Sequence, residues 1–163
     1  MRALLTKATT TKEPLDINEA LEEVVILAQS EMKRNKVALR MELAGDLPQV
    51  MGDRVQLQQV ALNLILNAIE AMNSVDDRQR VLRIVTQPAE GDEIRVAVED
   101  SGIGFDPRNA ERIFDAFHTT KTGGMGMGLA ISRSIIHWHG GRLWAVSNDG
   151  DGATFQFTLS TIK

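Results

Sequence analysis

The chain of 163 residues contains no cysteine, which excludes disulfides, thiol nucleophiles and cysteine-based metal sites. It has no apolar run approaching the ~18 residues that a membrane-spanning helix needs. Its opening, MRALLTKATTTKEP, lacks the basic start, apolar middle and small-residue cleavage site of a secretion signal. There is no excess of positive charge either: a formal net charge of −4 leaves no basic footprint for nucleic acid. Internal repeats and low-complexity tracts are also missing. These absences predict a soluble domain without membrane contact of its own and are compatible with a cytoplasmic location, whether or not a longer parent is membrane-anchored. What is present, 43% hydrophobic and 25% charged residues, is the composition of one globular unit with a substantial core.

Residues 1–14, rich in Thr and Lys and ending at Pro14, read as a linker or the tail of a preceding helix, so the domain is expected over 15–163. Apolar positions at Leu21, Val24, Val25, Ala28 and Met32 predict a first helix over 18–34, capped by Asp16 or Asn18. KVALRMEL alternates like a half-buried strand, and Asp53 is the expected cap of a second helix over 53–73. VLRIVTQ (81–87) and EIRVAVED (93–100) predict a hairpin, as do GRLWAVSN and GATFQFTLS around DGDG. With a third helix over about 126–139, the pattern is an α/β two-layer sandwich: a mixed, mainly antiparallel sheet covered on one face by three helices.

The second helix is unusual. Gln56, Gln59, Asn63, Asn67 and Glu70 fall within roughly 80° of one another on an otherwise apolar cylinder. A buried amide without a partner costs about 1–3 kcal/mol, so this stripe is either solvated or answered by a ligand. Strict alternation along IRVAVED places Asp100 on the same inward face as Ile94, Val96 and Val98. Gly102 and Gly104 follow at once and allow close backbone approach. The carboxylate either caps its own Asp-x-Gly turn or receives a donor such as an adenine amine. Gly123, Gly124, Gly126 and Gly128 lead into the third helix beside Thr119, Thr120, Lys121 and Thr122, an arrangement suited to phosphate. The spacing is neither a P-loop nor a Rossmann fingerprint. In HWH, His137 and His139 point to different sides of a helix and predict no metal site.

Together these stretches resemble the catalytic ATP-binding domain of bacterial two-component sensor histidine kinases, within the GHKL superfamily with its Bergerat fold. NLILNAIEAM is similar to the N box, DSGIG to the first glycine box, IFDAFHTTK to the F box and GMGMGL to the second glycine box, in the family's order across about 15–160. The resemblance implies ATP and Mg²⁺ as cofactors and protein-histidine kinase activity. It implies Asn67 as a ligand of Mg²⁺ with Asn63 nearby, and a catalytic set of Asn63, Asn67 and Lys121. It further implies Asp100 on adenine, Gly102 and Gly104 as pocket floor, and a cradle for the nucleotide from Thr119, Thr120, Lys121, Gly124, Met125, Gly126, Met127, Gly128 and Leu129. Residues 105–124 would be a lid, in which Phe114 and Phe117 serve either as its core or in docking the phosphoacceptor domain.

The implied partners are that helical dimerisation and phosphoacceptor domain and a downstream response regulator. No histidine precedes His118, so the phosphoacceptor is expected on a separate domain and this chain reads as an excised part of its parent. Two positions depart from the family pattern. Glu70 stands where many relatives carry a Lys, which shifts the positive field onto Lys121 with help from Arg112 or His118; His118 itself replaces the second Phe of FFTTK. ATPases of the superfamily have a general-base Glu at the place of Asn63, and Asn cannot take a proton from water, so transfer to a protein nucleophile is favoured over hydrolysis. The alternatives are an anti-sigma-type protein serine kinase of the same fold and a non-catalytic nucleotide-sensing module.

Overall fold

The computed structural model describes residues 12–115, 128–148 and 152–162. Strand β1 (Glu13–Leu15) pairs antiparallel with β3 (Val50–Gly52) in a small two-stranded sheet. The main sheet has the order β2-β4-β5-β7-β6, formed by β2 (Val37–Leu43), β4 (Arg80–Ala89), β5 (Glu93–Asp100), β6 (Leu143–Ser147) and β7 (Ala153–Ser160). Among the described strands of this sheet, β2 and β4 run parallel and the other pairings are antiparallel. Helices α1 (Ile17–Arg34), α2 (Arg54–Met72) and α3 (Gly128–Trp138) pack on one face of that sheet. This is the expected sandwich. The small sheet was not expected: Glu13 and Pro14, read as linker, pair with Gly52 and Met51.

The helix starts follow their caps. Asp16 Oδ1 accepts the Asn18 and Glu19 N–H groups, and Asp53 Oδ1 accepts that of Gln56, filling orphan donors of the first turn. The core lies between the layers, where Val24, Val60, Leu64, Ile84, Ile94, Val96 and Phe157 are fully buried. Burying each such side chain contributes about 1.5–3 kcal/mol. Polar groups crossing this boundary are matched: Thr86 donates to Asn18, Asn18 donates to the Ala44 carbonyl, and the Ala44 N–H returns to Thr86. That cycle joins the start of α1 to β4 and the end of β2.

Central helix α2 touches both α1 and α3 and leans on β5. It therefore stands between the two places where chemistry-bearing residues collect, the end of β5 and the start of α3.

Candidate functional site

The amide stripe divides along the helix. Gln59 faces solvent, as a simple amphipathic helix would have it. Asn63 turns to α3: its Nδ2 donates to Ser132 Oγ at 3.2 Å and toward the Gly128 carbonyl at 3.4 Å. Any cation reached by Asn63 must then be reached through its Oδ1. Asn63, Asn67 and Glu70 line a cleft of about 530 Å³ together with Gly128 and Leu129 from the first turn of α3. Glu31, Arg34 and Asn35 at the end of α1 and Asn73 after α2 also line it.

The volume lies in the range of small-molecule sites. One end is the start of α3 at Gly128, and the dipole of a helix favours an anion near its amino terminus. Arg34, paired with Glu31, is the cation among the described lining residues, against the carboxylates of Glu31 and Glu70. Such a wall accepts a polyphosphate only with added positive charge. Neutral amide oxygens beside it are the donor type that suits partly hydrated Mg²⁺, so the residues present fit that ion. Arg112, expected to help with charge, is exposed in a 3-10 turn and is not among the residues lining this cleft.

Asp100 is buried at 4% exposure, at the end of β5 on the inward face with Ile94, Val96 and Val98. Its Oδ1 accepts the Gly102 N–H at 2.8 Å and the Ala153 N–H at 3.3 Å, so the carboxylate does cap its own turn. Gly102 has no room for a side chain, since a Cβ would lie 2.5 Å from the Ala71 carbonyl oxygen of α2. The Ile103 N–H bonds that same oxygen, four residues beyond Asn67. Gly104 has φ +71°, a backbone state that glycine reaches without strain. The Asp100 turn is thus fastened to the helix that carries Asn67, although Asp100 itself is not among the residues lining the cleft.

Residues that the sequence did not reveal hold this turn from outside. Arg78 donates from Nε to the Ser101 carbonyl at 3.1 Å and from Nη2 to the Gly102 carbonyl at 2.8 Å. Ser101 Oγ accepts the Val81 N–H and donates to the Gln79 carbonyl. Arg80 ties the loop to the ends of both helices through the carbonyls of Asn35, Asn73 and Val75. No local pattern marks these contacts, because the partners of Arg78 lie 23 and 24 residues away.

Beyond the turn, Phe114 is buried, edge-on to Phe155 at 6.0 Å with the Arg133 guanidinium 4.7 Å from its ring centre. Phe105 also meets Phe155. The stretch 105–115 is therefore anchored to the sheet and α3, and Phe114 belongs to the core of the domain itself. Phe117, His118, Thr119, Thr120, Lys121, Gly124, Met125, Gly126 and Met127 lie outside the described residues. His137 is exposed and His139 buried; no group of three metal-ligating side chains occurs among the described residues. None of the described helices is long and apolar enough to cross a membrane.

An open mixed sheet under three helices, with a cleft between the central helix and the start of α3 that carries the amides of Asn63 and Asn67, defines an α/β-sandwich domain with a small-molecule-sized site. Over residues 52–162 the chain matches the family described as histidine kinase-, DNA gyrase B-, and HSP90-like ATPase, and it belongs to that family. It is 42% identical over 159 residues to the sensor protein FixL of Bradyrhizobium diazoefficiens, covering 98% of this chain and 31% of FixL. With the sensor protein TdiS of Thauera aromatica it shares 35% identity over 94% of this chain and 28% of that protein. The chain thus spans about a third of the length of these curated relatives. The nucleotide-free catalytic domain of histidine kinase ThkA superposes with a TM-score of 0.80 at 32% identity, covering 92% of this chain and 95% of that one. Full-length ShkA in complex with AMPPNP gives 0.81 at 27% identity, over 94% of this chain and 32% of ShkA. By these likenesses the chain is an ATP-binding domain of the sensor histidine kinase type.

Proposed function

We propose that this domain binds ATP with Mg²⁺ and transfers the γ-phosphoryl group to a histidine on a separate helical dimerisation and phosphoacceptor domain of its parent, which then serves a response regulator. The observation that carries this reading is the convergence of Asn63, Asn67 and the first turn of α3 on one cleft, with buried Asp100 fastened to the same helix. Asp100 accepts the adenine amine. Asn67 offers its amide oxygen to the metal, and Asn63 keeps α3 in register while its oxygen stays near. The α3 amino terminus, with Lys121 and Gly124, Gly126 and Gly128, holds the phosphates; Mg²⁺ bound there would neutralise their charge. Phosphoryl transfer depends mainly on positioning and charge neutralisation, which suits a site whose Asn63 cannot serve as a base for water. That AMPPNP is bound by ShkA and that ThkA forms a complex with the response regulator TrrA are consistent with both halves of the reading.

The test supplies the matching helical hairpin dimer in trans with γ-labelled ATP. Acid-labile, base-stable label on the hairpin is expected, at low yield because the covalent tether that raises effective concentration is missing. Acid-stable label on Ser or Thr would select the serine kinase instead. Tight ATP binding with no label on the authentic hairpin would select the sensing module.

A further inference from the structure

We propose that Arg78 is a positioning residue for base recognition: its guanidinium, through two backbone peptides, sets the orientation of the Asp100 carboxylate. The inference rests on the base-reading role proposed for Asp100 and concerns how that role is enforced.

Both carbonyls held by Arg78 belong to peptides whose N–H groups do the holding on the other side. The Ser101 carbonyl receives Nε at 3.1 Å, and the N–H of the same peptide, on Gly102, donates to Asp100 Oδ1 at 2.8 Å. The Gly102 carbonyl receives Nη2 at 2.8 Å, and the N–H of its peptide, on Ile103, donates to the Ala71 carbonyl of α2 at 3.2 Å. A cation bonded to a peptide oxygen polarises that peptide and strengthens the bond made by its N–H. One guanidinium therefore reinforces, at a single covalent remove, both the contact that aims Asp100 and the contact that fastens the turn to α2. Its planar fork matches two successive carbonyls, which a point-charge ammonium cannot do equally well.

The side chain is about a third exposed and lies on the loop between α2 and β4, outside the residues that line the cleft. It does not touch the base. Its effect must appear in the quality of the Asp100 contact and not in phosphate binding, which depends on α3 and Asn67. Fixing a polar group in advance of binding raises discrimination between a ligand that complements it and one that does not.

Inosine triphosphate is the probe, because it keeps the phosphates and sugar of ATP but replaces the 6-amine with an oxygen that a carboxylate repels. Calorimetry would measure ATP and inosine triphosphate on the wild-type chain, Arg78→Ala, Arg78→Lys and Asp100→Asn, with thermal melts alongside. Arg78→Ala should lower the ATP preference at least about fivefold while affinity for inosine triphosphate stays within about twofold. Arg78→Lys, which keeps the charge and loses the fork, should fall between the two and stay folded. Equal losses for both nucleotides, or an unchanged preference in both Arg78 variants, would overturn the proposal. If Asp100→Asn leaves the preference of the wild type intact, the base-reading role itself fails, whatever Arg78 does.

Discussion

His139 accepts on Nε2 the backbone N–H of Asp53 at 3.0 Å, across 86 positions of sequence. Its Nδ1 faces the Ile135 carbonyl at 2.8 Å, so the ring is neutral with its proton on Nδ1. The imidazole pins the cap of α2 to the last turn of α3. Burial holds its pKa below the ordinary histidine value, aided by Lys12, while the Ile135 carbonyl and the Asp53 carboxylate act the other way.

A pH dependence of stability follows. With the folded pKa depressed, the unfolded chain takes up the proton first, so stability is complete above about pH 6.5 and is lost as pH falls through the folded value. The urea midpoint should be lower at pH 5.5 than at pH 8, and His139→Gln should flatten the difference. Identical wild-type midpoints would contradict the assigned state. At pH 8, His139→Ala should cost about 2–4 kcal/mol, the sum of an orphaned Asp53 N–H and a cavity.

Gly102→Ala brings a Cβ to 2.5 Å from a backbone oxygen of α2 and 3.0 Å from Asp100 Oδ1. Neither neighbour is the free end of a flexible side chain, so the turn must shift. A loss of about 1–3 kcal/mol in stability is expected, together with at least tenfold weaker ATP binding by calorimetry, roughly the 1.4 kcal/mol of one misplaced polar contact. Undiminished ATP affinity would show that the turn does not bear on the base.

Asn67→Ala should weaken ATP binding roughly tenfold in the presence of Mg²⁺ and less than about twofold in EDTA, because its role runs through the metal. A loss of the same size under both conditions would mean that Asn67 touches the nucleotide directly.

Phe114→Ala removes a ring packed on Phe155 and under Arg133. A cost of about 3–5 kcal/mol should lower the Tm of the isolated domain by roughly 6–20 °C. A variant with native Tm but poor docking of the helical partner would restore the other reading of this residue.

Much of the fold was legible because its signals are local. Alternation alone put Asp100 on the inward face, and the caps at Asp16 and Asp53 stand where the residue types predicted. Strands β1 and β3 escaped notice, since three residues apiece are too few to show a period. For the site, the sequence marked Asn63, Asn67, Asp100 and the glycines but not Arg34 at the cleft or Arg78 at the turn. Arg34 reaches the cleft only because α1 packs beside α2, and the partners of Arg78 are the carbonyls of a distant loop, which have no sequence signature.

The sequence by itself determined the layers, the amide stripe on α2 and the inward carboxylate, because side-chain period and helix capping act over a few residues. Only the tertiary structure decided that β2 lies beside β4, that Asn63, lining the cleft with Asn67 and Glu70, donates its amide N–H to α3, and that His139 is buried while His137, two positions earlier, is exposed. Those choices depend on which surfaces meet when α2 and α3 pack over the sheet, and a buried donor then takes whichever acceptor the packing brings within reach.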